Sequence, residues 1–447
     1  MYLIVFFLVA MQVLCDGPSS APHQFFKNDR PMKIRSSEQP PPSEGTIYPS
    51  SYLKNLRTQP DVFESMGYTP EEGLADSIDA AIRMIPNIGK RVVIGESLTG
   101  KPIQAIQFSW PDGTAPLPGR DEMVRPNVVL AAGLAGNEAL GREMLIVLIH
   151  RLASLFVGKR DGEGGRTGRD PGVKALFQTT NLTIIPSMNP DGYNFAVREN
   201  LQFVDLNRDW PPHEGVSVFP NATGLFTPEA RSMAEWFATQ PHFDAAVSFH
   251  GGDMLVNYPL DAGAGGETGH HAGTPDEFLL RTLAEEVSYL MGCPRRAQEE
   301  RPGEACATNG QAFYRAVGTF QDWQYWQGAN ALSVEIGAAW PTLAEGMEII
   351  APAITGAMRF AIMQQQSVAG RIVDAQTLRP IEGASVHVEN YRPVRSNPQG
   401  EFLRFLTPRG YENVRVTAPG YQDWVAPIAL SVYPDAQTFI QPQLQKL

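Results

Sequence analysis

A chain of 447 residues exceeds one ordinary domain and accommodates a large α/β core plus a small module. Its 43% apolar and 19% charged residues are globular values that exclude a disordered or fibrous chain. A net charge of -12 leaves no contiguous basic surface to neutralise phosphates, which excludes nucleic acid as a partner.

The chain opens with an apolar run from Tyr2 to Leu14, followed by small and polar residues. The run is too short to span a bilayer, so residues 1–16 read as a cleaved secretory signal. Residues 17–47, rich in Pro, Ser and charge, read as a flexible lead-in. A helix is expected from Asp76 to Ile85, where apolar residues recur at helical spacing behind an Asp/Ser cap. Strands are expected at 91–97 and 103–110 around the turn Leu98–Pro102, and again at 127–134, 181–190, 245–252 and 331–337. Helices are expected at 138–156 and 278–292. This alternation predicts a mixed central β-sheet flanked by helices over residues 48–365. Beyond Gln366 the pattern changes to short β-type runs such as 368–375, 384–390, 401–406 and 413–418, parted by turn residues, which predicts a small all-β sandwich over 366–447. No stretch after the first reads as a membrane span, and the polar tail Gln441–Leu447 excludes a lipid-anchor signal. The protein is therefore expected to be a secreted or lumenal monomer with no membrane anchor.

Cys15 would leave with the signal, and Cys293 and Cys306 then suit a bridge across a short loop, against the alternative of two unpaired buried thiols. Of the two glycosylation sequons, Asn181 opens a buried strand, which leaves Asn221 as the acceptor.

Several polar residues stand at the ends of these apolar runs. Each has an ordinary reading: Glu138 complementing a helix dipole, His250 in a turn, Asn207-Arg208 as a solvated turn. Glu335, inside the apolar strand 331–337, is costly to bury without a partner or a task. Taken in order, Ala135–Glu143, Asn189–Tyr193, Arg198, Val204–Pro211, Ser248–Gly252 and Phe320–Tyr325 resemble the zinc metallocarboxypeptidases, specifically the carboxypeptidase N/E group. Asn257–Asp261 and Thr274–Asp276 are similar to that group too, and the C-terminal β region resembles its transthyretin-like module.

The resemblance implies removal of a C-terminal residue from peptides or proteins. It implies Glu138 and His250 as ligands of one zinc ion, Arg198 as the group stabilising the oxyanion, and Glu335 as general base. It further implies that Asn207 and Arg208 hold the substrate carboxylate and that Tyr325 closes over bound substrate. Asp261 falls where the group places an acidic residue against a basic side chain, so substrates ending in Arg or Lys are expected. One position departs. The group carries His three residues before the zinc-binding Glu, and here that residue is Ala135, whose methyl donates no electron pair. His150 lies too far along the helix to substitute, and nothing in the spacing of His213, His270 or His271 demands it. Two readings follow: a carboxypeptidase with an impaired metal site, or a non-catalytic relative that captures peptide C-termini. An endopeptidase of another metal class is disfavoured, because no His-Glu-x-x-His helix is present.

Overall fold

The computed structural model describes residues 67–111, 123–158, 170–212, 224–263, 267–292, 306–337, 341–407, 410–431, 433 and 435–447. The expected signal and lead-in, and Asn221, Cys293 and His213, lie outside the described residues.

Helix α1 (Glu71–Met84) begins a turn earlier than the Asp76 cap suggests. Glu71 is buried against Arg142 and Ser187, and these bonds, rather than a local cap, fix the start. Strands β1 (Gly89–Glu96) and β2 (Pro102–Phe108) form an antiparallel pair, and β3 (Asn127–Ala132) leads into helix α2 (Ala139–Val157). Helix α3 (Pro171–Thr179), capped by Asp170, delivers β4 (Asn181–Ile185), and a short helix α4 (Pro190–Asn194) follows. Then come α5 (Pro228–Thr239), β5 (Ala245–His250), β6 (Met254–Tyr258) and α6 (Glu277–Leu290). The domain closes with β7 (Ala307–Asn309), α7 (Gly310–Phe313), α8 (Phe320–Gln327), β8 (Asn330–Ile336) and α9 (Leu343–Met363).

The eight strands pair in the order β1-β2-β4-β3-β5-β8-β6-β7, parallel at β4-β3-β5-β8 and antiparallel at β1-β2, β2-β4 and β8-β6. The expected mixed sheet is thus present. Its apolar runs are buried on both faces, with Val128 and Leu130 in one core and Val129 and Ala131 in the other, as the two-residue period of a strand requires.

One expectation is corrected at α9, whose 21 residues are long and apolar enough to cross a membrane by length and composition. The helix instead packs on α6 and α2 with Ile350, Ile354 and Phe360 buried, so its apolar character belongs to the core.

After Met363 the chain turns directly into β9 (Ser367–Arg371). The β region holds a sheet β13-β9-β16 (β13 Glu401–Phe405, β16 Thr438–Ile440) and a pair β10 (Val373–Asp374) with β17 (Gln443–Leu444). A four-stranded sheet β12-β11-β14-β15 completes it (β11 Ser385–Val388, β12 Val394–Arg395, β14 Tyr411–Thr417, β15 Trp424–Ala429). The hairpin loop between β11 and β12 points Arg392 into the first domain. Its guanidinium donates to the carbonyls of Tyr325, Gly328 and Ala329, and its Nε stands 3.2 Å from Asp276. Arg404 pairs with the same fully buried Asp276. Cys306 is disulfide-bonded.

Candidate active site

The carboxyl ends of the parallel strands and the loops after them carry the polar residues. His250 ends β5, and its neighbour across the sheet, at the same register on β8, is Glu335. Beyond β3 the backbone turns through Gly133 to bring Glu138 to the first residue before α2. Gly136 lies so close to the Gly192–Tyr193 peptide that a β-carbon there would stand 2.1 Å from backbone. Its N–H donates to the carbonyl of Arg198 (3.1 Å), and the Asn189 amide donates to the carbonyls of both Leu134 and Arg198. Asn189–Tyr193 therefore clips the Glu138 loop to the Arg198 segment.

These constraints bring Glu138, His250 and Arg198 together. Glu138 Oε2 meets His250 Nδ1 at 3.0 Å, and Arg198 Nη1 donates to Glu138 Oε1 at 3.0 Å. Arg198 Nε donates to Asp205 at 2.8 Å. Ser248, one pleat deeper on the same face of β5, bonds His250 Nε2 at 3.1 Å and orients the ring. Burial opposes protonation of His250, but the Glu138 carboxylate outweighs it and raises the imidazole above its ordinary range. Glu335 is pushed up to about 7, chiefly by burial, and is drawn back in part by His250 and Arg198. It packs on Gly252, where a β-carbon would lie 2.4 Å from its Oε2.

Ala135 is fully buried beside this cluster. Among the described residues no set of three His, Cys, Asp or Glu side chains gathers to hold a metal ion. A catalytic zinc takes three protein donors and an open position. Glu138 and His250 supply two, and a methyl group stands at the third, so the donor set does not complete a zinc site.

The second group surrounds Asn207 and Arg208 in a 3-10 turn (Leu206–Arg208) capped by Asp205. Asn207 Oδ1 accepts the N–H of Phe320 (3.0 Å), which leaves Nδ2 as the donor toward a ligand. Arg208 is exposed and lies near enough to Asp205 and Asp261 to favour both carboxylates. Asp261, 7% exposed, accepts from Thr319 Oγ1 (2.6 Å) and Gln321 Nε2 (3.0 Å). Beneath it Asp322 accepts the N–H groups of Asp261 and Ala262. Burial pushes Asp261 up to about 6 and raises Asp322 well above its ordinary range, where the neighbouring Asp261 charge adds to the effect.

Tyr325 does not join these residues, which corrects its expected role in closing over substrate. It is fully buried at the far end of α8, with the Arg392 guanidinium 4.2 Å above its ring. Its position five residues beyond Phe320 carries it to the opposite end of the helix from Asn207 and Asp261. Tyr314, missed in the sequence, is 53% exposed on the loop whose Ala316 N–H donates to the Asp261 carbonyl. Its signal was the aromatic pair Phe313-Tyr314 standing just before the Phe320–Tyr325 motif. Thr319 and Gln321 were also missed, since only the fold turns them onto Asp261.

Residues 74–342 match the zinc carboxypeptidase family, and residues 367–442 match the carboxypeptidase regulatory-like domain. Carboxypeptidase E of Caenorhabditis elegans is 28% identical over 75% of this chain and 77% of its own. The mouse (Mus musculus) carboxypeptidase N catalytic chain is 26% identical over 81% of this chain and 82% of its own. Mouse carboxypeptidase Z is 28% identical over 75% of this chain, which spans only 54% of that protein. The crystal structure of thrombin activatable fibrinolysis inhibitor has the same fold, with a TM-score of 0.51 at 16% identity over 66% of this chain and 73% of that one.

Proposed function

The chain belongs to the zinc carboxypeptidase family, whose members are metallocarboxypeptidase hydrolases acting on peptide C-termini, and from that premise we propose a secreted carboxypeptidase with an impaired metal site and a preference for C-terminal Arg or Lys. The observation that carries this reading is the contact of Glu138 with both His250 and Arg198, with Glu335 on the adjoining strand. Export is supported by the apolar N-terminal run and by the disulfide at Cys306.

In this reading Arg208 and Asn207 Nδ2 pair with the substrate's free carboxylate, and Asp261 faces the cationic side chain of its last residue. Tyr314, rather than Tyr325, covers the bound tail. Arg198 turns from Glu138 toward the scissile carbonyl and stabilises the oxyanion. Glu335 accepts a proton from the water that adds to the carbonyl carbon, then delivers it to the leaving amine as the C–N bond breaks.

Ala135 favours a second reading, in which the same groups capture peptide C-termini without cleaving them. Metal analysis of the purified protein, with binding and hydrolysis of a peptide ending in Arg and of its C-terminal amide, separates the two. About one equivalent of zinc with turnover of the acid alone supports the enzyme. No zinc, with affinity for the acid over the amide, supports capture. Equal affinity for acid and amide rejects both.

A further inference from the structure

Helix α8 has a different task at each end. Its first turn holds the substrate-tail residues: Phe320 N–H fixes Asn207, Thr319 and Gln321 fix the Asp261 carboxylate, and Asp322 fixes the Asp261 backbone. Its last turn and the residues after it are held by the second domain. Arg392 donates to the carbonyls of Tyr325, Gly328 and Ala329, at the C-terminal end of the helix and just beyond it, while its face covers the Tyr325 ring. Asp276, with no exposed surface, fixes the arginine through its backbone N–H (3.0 Å) and its guanidinium. The helix between the two ends has 8 residues and is about 12 Å long. A helix of two turns, packed through Phe320 and Trp323 onto the buried Trp210, moves as one rigid piece.

We propose that Arg392 of the C-terminal β domain is a positioning residue for the peptide-tail site, acting through α8 to set Asn207 and Asp261. The proposal rests on the tail-binding reading of those two residues. It gives the β domain a part in recognition without contact with the substrate: withdrawing the guanidinium frees the C-terminal end of α8, and the first turn shifts with it. Recognition of the free carboxylate and of the basic side chain both weaken, since the same turn fixes both.

A purely structural role is separated by a second variant at the same domain boundary. Arg359 on α9 bonds Asp435 of the β domain at 2.6 Å and Glu286 of α6 at 3.3 Å, so this contact ties the β domain to α9 and α6. Arg392→Ala leaves Asp276 paired with Arg404, so the boundary retains its buried ion pair. The experiment is calorimetric binding of a peptide ending in Arg, and of its C-terminal amide, to the full chain and to Arg392→Ala and Arg359→Ala, with a melting temperature for each. Both variants are expected to melt earlier. Only Arg392→Ala is expected to weaken the acid peptide, by about tenfold or more, the scale of lost hydrogen bonds to a charged group, and to narrow its advantage over the amide. Equal losses in the two variants, or an Arg392→Ala protein that still folds and binds as the parent does, overturn the proposal. A parent protein that does not distinguish acid from amide overturns the tail-binding reading, and the positioning role falls with it.

Discussion

Asp261→Asn tests the preference for a basic C-terminal residue. The carboxylate sits 7% exposed between Thr319 and Gln321, and the substitution removes its charge while keeping its shape. The amide is accommodated: Asn Oδ1 accepts from Gln321, and the Thr319 hydroxyl rotates to accept from Nδ2. A charge-assisted bond to a substrate guanidinium contributes about 1.5–3 kcal/mol, so affinity for a peptide ending in Arg should fall roughly ten- to hundredfold. The same peptide ending in Leu should bind with little change. Protonation supplies an independent reading. Burial places Asp261 near pH 6, and the arginine of the ligand stays charged throughout, so affinity of the parent should rise as pH rises through about 6 and level off above it. The variant should lose that rise. Calorimetric titration from pH 5 to 8 measures both effects. A variant that keeps the Arg-over-Leu ratio, or the pH dependence, would refute the assignment of Asp261.

Three further outcomes are expected. Ala135→His adds a third donor beside Glu138 and His250, and zinc affinity, read by competition with a chelator, should rise by at least the roughly 10–100-fold attached to an outer-shell partner; a folded variant with unchanged affinity would show that the loop is not aimed at the ion. Asp244→Asn bears on stability: burial lifts Asp244 to about 7, so the folded parent holds a proton that the unfolded chain loses near pH 4, and the parent loses stability as pH rises from about 4 through 7. The variant keeps the bond to the Asn127 N–H (2.8 Å) without that loss, so its melting temperature should gain on the parent across this window, by at most about 4 kcal/mol in stability; a constant difference would contradict the burial argument. Gly252→Ala places a β-carbon 2.4 Å from Glu335 Oε2, so hydrolysis should be lost while affinity for an Arg-ending peptide persists; unimpaired turnover would remove Glu335 from the mechanism.

The parts of the fold that follow from local physics were legible in the chain. Apolar runs such as 127–132 and 245–250 form strands buried on both faces; His250 stood out at a strand end, and Glu335 as a lone carboxylate inside the apolar run 331–337. What the chain does not display is direction across a helix or contact across domains. Tyr325 belongs to a motif beginning at Phe320, and adjacency in that motif hid the fact that a helix of two turns carries its ends apart. Gln321 and Thr319 carry no signal of their own in the chain, and only the setting of α8 against Asp261 reveals them. Arg392 lies in a turn of the β domain, and its partners at 276, 325 and 328 are far away in sequence. The apolar pattern of 343–363 satisfies both a core helix and a membrane span, and packing alone decides between them.

The backbone around Ala135 is fixed by bonds that do not involve its own side chain: Gly136 to Arg198, and Asn189 to Leu134. That loop is therefore an interchangeable socket, in which the residue can be swapped while the mounting stays put. Cysteine installed there would bias the pocket toward soft, thiophilic ions and aspartate toward hard ones, so one scaffold could yield a graded series of artificial metalloproteins.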